Sequence, residues 1–399
     1  MLGFLVSKNA APRISCFYKP PVWAIPCITV LAVTLLAAFT AQSLLASNEA
    51  SEPNEKTVTS EVSAPPDSFH IAVFTPTTEV NTYWPEVHSV MRAAADSLDL
   101  EVTFHEFDVG DRFTRAERGP RILRRDPRPD AAVFSVAFGQ TMPLVETAEA
   151  LDIPFFLNGP LFPEEMEELG GEPRNEYANW IGYFQEDEEH KGYLLARLLI
   201  EAARDRHDAG RGGTVRLAGV SGDPLWHGTS LRETGFRKAI AEHAGAALTQ
   251  IVPTRWTPAE GREMARRLQQ RYPDVDAVWA ASDQLALGVT EADADVITGG
   301  LDLSRAGLEA VREGTLTATV AASPLIWAEV LIHLHDYLRG VDFRDRVGTQ
   351  MYFQPDVATE SNAEDIIKER ENYKTIDFRR YSRYYRGDEA EQFLLHEES

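Results

Sequence analysis

Cysteine is almost absent from this 399-residue chain, which has only Cys16 and Cys27. That excludes a disulfide scaffold and cysteine-rich zinc modules. Lysine is scarce as well, seven residues against 32 arginines, and the 39 basic residues face 62 acidic ones. A formal charge of −23 argues against nucleic acid as a main partner, because phosphate binding needs a basic surface. The ten histidines are scattered singly except for His333 and His335, whose spacing on a helix points them to different faces. Ser221 in Gly-Val-Ser-Gly lacks the nucleophile-elbow spacing, and there is no phosphate loop. The expectation is a protein that is not an enzyme and carries neither metal nor cofactor.

Acidic residues are also missing from the first 46 positions, which hold Lys8, Arg13 and Lys19. The stretch from Val22 to Ala41 is uncharged and apolar, and small residues follow at Ser43 and Ala46. Residues 1–46 read as a Sec signal peptide or an uncleaved signal anchor, so contact with a membrane is expected only through this segment. Without it the chain has 36 basic and 62 acidic residues, a net of −26, and no thiol. Residues 47–67 are polar and contain Pro53, Pro65 and Pro66, the composition of a flexible linker to the folded body.

From Phe69 onward short apolar strands alternate with helical spacing. HIAVFTP, LEVTFHEF, DAAVFSV and IPFFL come first; TVRLAGVSG, ALTQIVP, DAVWAAS, DVITGG and LTATVAA follow. Val87, Val90, Met91, Ala94 and Leu98 mark the buried stripe of the first helix. Such alternation predicts parallel sheets with helices on both faces. There are too many units for one small sheet, and a long helix from Glu186 to Arg206 divides them into two similar halves. The fold class is therefore α/β, two Rossmann-like doubly wound lobes joined by a hinge, with ligand contacts expected just after each strand.

Those loops hold the candidate site. Asn81, Tyr83 and Trp84 follow the first strand, an apolar plate with a polar edge suited to a polyhydroxylated ligand. Tyr83 and Trp84 read equally as packing for the first helix. Asn158-Gly159 follows IPFFL, where the pair reads first as a turn. Trp226 precedes a helix that Thr229 or Ser230 could cap, with Arg232 in its first turn. A cation beside a helix start needs a partner, either ligand oxygens or a local acid. Thr257-Pro258 reads as a cap and first helical position, which frees Trp256 for the cleft; Ser282 is another cap candidate. Asp302 follows Gly299 and Gly300, which allow close backbone approach.

Taken together, NTYW, the R-x-x-G-F of Arg232 to Phe236, YPDVDAVWAASDQLALG, GGLD and GTLTATVAASP resemble the type I periplasmic binding proteins of the ribose-binding branch. The resemblance implies a first lobe of 68–183 plus 323–350, a second of 184–322 plus 351–365, and a C-terminal extension of 366–399. It implies hinge crossings near Tyr183, Ser323 and residue 350. Asn81, Trp84, Asn158, Arg232 and Ser282 would face the ligand with Tyr83 beside them, Trp256 would stack, and Asp302 would accept from hydroxyls. VNTYW and the tail DFRRYSRYYRG are similar to the autoinducer-2 receptors within that family. Leu301 and Ala322 depart from those receptors, which carry an aromatic and a second arginine there, so a borate diester is not expected. The implied partners are a small sugar-like ligand and either an ABC transporter permease or a membrane sensor protein.

Overall fold

The helix Trp84–Leu98 shows how pattern becomes packing. Val87, Val90, Met91, Ala94 and Leu98 all lie buried on one face, as their spacing predicts. They meet the helix Ile326–Leu338 and one face of a sheet in a single apolar cluster. The computed structural model describes residues 68–79, 83–108, 112–208, 213–293 and 295–393. The expected leader, the linker and Asn81 fall outside them. Among the described residues no helix is long and apolar enough to cross a membrane.

Five strands build most of the first sheet: β1 Phe69–Pro76, β2 Leu100–Phe107, β3 Ala131–Ser135, β4 Phe155–Asn158 and β5 Trp180–Glu186. Five more build the second: β6 Val215–Ser221, β7 Ala246–Pro253, β8 Ala277–Ala280, β9 Ile297–Leu301 and β10 Thr319–Ala321. Two late strands, β11 Gln350–Phe353 and β12 Asp356–Ala358, complete one sheet each. The orders are β11-β5-β4-β3-β1-β2 and β12-β10-β9-β8-β6-β7. All pairings are parallel except β10 with β12. β3 is buried at every position because helices cover both faces, the signature of a parallel sheet.

Several expectations need adjusting. β5 was not among the strand candidates, and Glu186, expected to open the long helix, is its last residue; the helix spans Glu188–Asp208. The β5 run is broken by Gly182 and ends on polar Gln185 and Glu186, so it lacks the unbroken apolar stretch that marks a buried strand. Tyr183 and Gln350 pair inside the first sheet, whose strands run on to Glu186 and Phe353 before leaving it. The helix Ala363–Glu371 packs against Arg305–Arg312, so the chain stays with the second sheet past residue 365. From there it returns to the first. Phe378 is buried in the cluster under Trp84–Leu98 and Ile326–Leu338, and the Ser382 hydroxyl and the Arg383 backbone N–H both donate to Asp336. Tyr373 pairs with Ser323 at 3.0 Å where the tail passes the crossing.

Candidate functional site

Each sheet has a switch point. The chain leaves β1 for β2 on one side and β3 on the other, and β6 stands in the same relation to β7 and β8. Loops diverge there and open a crevice at the carboxyl ends of the strands. The two crevices share one cavity of ≈ 170 Å³. Pro76, Phe107, Ser135, Asn158 and Glu186 reach it from the ends of β1 to β5; Trp226, Trp256, Ser282 and Asp302 reach it from beyond β6 to β9. Tyr83, Trp84, Asn158, Trp226, Arg232, Trp256, Ser282 and Asp302 all line it, and Asn81 lies outside the described residues.

Tyr83 and Trp84 pack the first helix and also line the cavity. Trp84 packs edge-on against Trp327 at 5.4 Å, and the Trp327 indole N–H donates to the Tyr83 hydroxyl at 3.1 Å. They are core and cavity wall at once. Burial, aided by Glu186, pushes the Tyr83 hydroxyl well above its ordinary value, so it stays a neutral hydroxyl. Asn158 donates weakly to the Phe184 carbonyl at 3.4 Å.

The second-lobe wall is built around Arg232. Its helix starts at His227 with no side-chain cap, so neither Thr229 nor Ser230 caps it; the Thr229 hydroxyl instead donates to the Asp223 carbonyl. Arg232 is buried, not a surface ion pair: Nε donates to Glu188 at 2.5 Å and Nη1 to the Ala281 carbonyl at 2.6 Å. Asp302 stands 3.8 Å from Nη1. Gly192 and Gly235 make this possible, because a Cβ at either would strike the backbone of the opposing helix. Only close contact of the two helices lets Arg232 reach Glu188. Lys191, also buried, binds Glu186 at 3.0 Å and Glu188 at 3.1 Å.

Charge balance sets the protonation states. Burial alone would raise Glu188, but Arg232 and Lys191 hold it below the usual carboxylate range. Burial likewise opposes the Arg232 cation, and Glu188 with Asp302 outweighs it, so its pKa rises. Asp302 goes the other way. Burial pushes it up to about 8, against the pull of Arg232 and with the help of Asp283. Gly299 and Gly300 serve neighbours here and not a ligand: a Cβ would meet the Ala318 carbonyl or Asp283.

The indoles of Trp226 and Trp256 meet edge-on at 5.9 Å, with the Arg232 guanidinium 4.8 Å from the first ring and 5.9 Å from the second. Trp256 has a φ of 68°, and Thr254 and Gln284 pin its backbone at 3.2 Å and 2.5 Å. Such a conformation costs about 1–3 kcal/mol in a residue with a Cβ. Thr257 caps the next helix as expected, and Ser282 also acts as a cap, accepting from Leu285 at 3.3 Å.

Sequence reading missed several polar residues in and behind the wall. Glu186 and Glu188 looked like an acidic helix start, and Lys191 behind them like surface. Arg115 was hidden in an arginine-rich helix, Arg112–Leu123, yet it is buried and lines the cavity beside Ser135 and Gln140. It donates to the Ser135 carbonyl, its Nε has no acceptor among the described residues, and burial lowers its pKa to about 10. Periodicity could not single it out among the neighbouring arginines.

A family profile described as a periplasmic binding protein domain matches residues 71–340. The chain belongs to the periplasmic binding protein family. Like the fold above, periplasmic binding proteins of known structure superpose on it. A periplasmic sugar-binding protein from Pseudomonas fluorescens does so with a TM-score of 0.69 at 23% identity, covering 81% of this chain and 96% of the other. A solute-binding protein from Actinobacillus succinogenes, solved with D-allose, gives 0.64 at 18%, covering 74% and 99%. In sequence, a ribose import binding protein of Salmonella typhimurium is 34% identical over 122 residues, 29% of this chain and 40% of that one. A D-apiose import binding protein of Paraburkholderia graminis is 24% identical over 261 residues, 63% and 74%. These periplasmic binding proteins are named for binding and import, not for catalysis.

Proposed function

We propose that this protein captures one small sugar-like molecule in the interlobe cavity and delivers it to an ABC importer from the periplasm. The observation that carries the reading is the cavity itself. Two indoles offer apolar faces beside Arg232, Asp302 and Asn158, a mixture that suits C–H faces and hydroxyls on one ligand. Its volume of ≈ 170 Å³ accommodates a single ring unit better than a chain of them. The relatives named for ribose and D-apiose import support the same chemistry, capture of a sugar for uptake.

Capture follows from differential contacts. A ligand held by Trp84 and Asn158 on one side and by Arg232 and Asp302 on the other favours the shut arrangement by the sum of both sets. Glu188 and Lys191 hold Arg232 in place beforehand, so little ordering remains to oppose binding. A thermal-shift and calorimetric screen of pentoses, hexoses and polyols tests the reading. A rise in Tm confined to one sugar class is expected, since a ligand stabilises the state it binds. If no sugar shifts Tm or evolves heat, the proposal fails. Loss of uptake of that sugar on deletion of the gene checks the transport step.

A further inference from the structure

Three arginines among the described residues are almost fully buried: Arg115, Arg232 and Arg370. Arg232 pairs with Glu188 at 2.5 Å and Arg370 with Glu86 at 2.8 Å. Arg115 pairs with no carboxylate among the described residues. Asp108 lines the same cavity from an exposed position. A buried cation without a counter-charge is costly unless something supplies one. Around Arg115 the wall is Ser135, whose hydroxyl also has no partner among the described residues, with Gln140 and the Phe107 ring, 5.9 Å from the guanidinium. Donors, a positive charge with no counter-charge among the described residues and an aromatic floor thus meet at the first-lobe end of the cavity.

We infer that Arg115 marks an anion subsite, and that the ligand is a sugar acid whose carboxylate sits against Arg115 while its hydroxylated body lies between Trp256, Arg232 and Asp302. The inference rests on the sugar-capture reading and narrows its substrate class. A carboxylate fits better than a phosphate ester, because one cation is matched by one charge. A neutral sugar could satisfy the donors but would leave the charge uncompensated.

Calorimetric titration of matched pairs tests this: D-galacturonate with D-galactose, D-glucuronate with D-glucose, and D-ribonate with D-ribose, plus glucose 6-phosphate. Wild-type protein is expected to bind at least one acid about tenfold or more tightly than its neutral parent, in line with hydrogen bonds to charged groups. Arg115→Met should erase that preference and Arg115→Lys retain part of it. A neutral parent that binds as well as its acid, or a preference that survives Arg115→Met, overturns the subsite and leaves sugar capture standing. Tighter binding of glucose 6-phosphate than of glucuronate overturns the carboxylate assignment. Silence from every acid and every neutral sugar overturns capture and subsite together. Melting of the ligand-free variant supplies a second readout: Arg115→Met should melt no lower than wild type, since it removes an unpaired charge. A clear fall in Tm would make Arg115 a structural strut and overturn the inference.

Discussion

The two lobes share a strand order but place their arginines in opposite electrostatic settings. Arg232, on the second lobe, sits between Glu188 and Asp302 with Lys191 balancing the acids behind it. Arg115, on the first, has a backbone carbonyl and no acid among the described residues. One half of the cavity is therefore pre-paired, and the other half carries a charge with no acid beside it among the described residues. A rigid, pre-paired wall gives geometry; an unpaired one gives discrimination by charge.

Substitution should separate these roles. The largest effect is expected from Arg232→Ala, which leaves Glu188 buried with only Lys191: a loss of about 3–5 kcal/mol of stability as well as ligand binding. Chemical denaturation with calorimetry checks both. An unchanged midpoint would erase the distinction between the lobes. Next comes Trp256→Ala, expected to weaken binding by about tenfold or more through loss of the stacking face. Its cost in stability should be smaller than that of Arg232→Ala, because the indole is only half-buried and alanine keeps the same left-handed backbone strain. Wild-type affinity would remove Trp256 from the site.

Asp302 offers a pH test of intermediate size. Its pKa stands at about 8 in the folded protein against an ordinary 3.8, so the native state binds the proton more tightly than the unfolded chain. Stability from this group is full below about pH 4 and declines as pH rises towards 8. Asp302→Asn should flatten that part of the stability–pH curve. A ligand whose hydroxyls donate to the ionised carboxylate would release a proton on binding at pH 7, seen as a dependence of calorimetric heat on buffer. A pH profile identical in Asp302→Asn would show that another group carries the decline. The smallest expected effect is that of Asn158→Ala, whose amide makes only one long hydrogen bond to the protein. A loss in affinity of about fivefold or less, by calorimetry, is expected from one hydrogen bond.

Much of this was legible in the sequence, and the failures have physical causes. Strand ends announce themselves through apolar runs, so Trp226, Trp256, Ser282 and Asp302 could be placed by looking just beyond them. β5 escaped because its charged end serves the cavity and its Gly182 makes room for Phe156, two departures from the usual strand pattern. Glu188 and Lys191 escaped because pairing across helices depends on the Gly192–Gly235 contact, which no local spacing reveals. The same limit hid Arg115: an arginine paired and an arginine alone look alike until the acids around them are located.

One contact at the cleft has a consequence for timing. The His227 ring bonds the Leu161 carbonyl at 2.7 Å and stacks on Phe162 at 4.7 Å, joining the lobes directly through protein atoms. Such a clasp favours the shut form whether the cavity is full or empty. It lengthens the dwell of a captured molecule and, by the same amount, slows the reopening that must precede both its release and the entry of the next. On the proposed capture, turnover is thereby set in part by a histidine that need not touch the ligand.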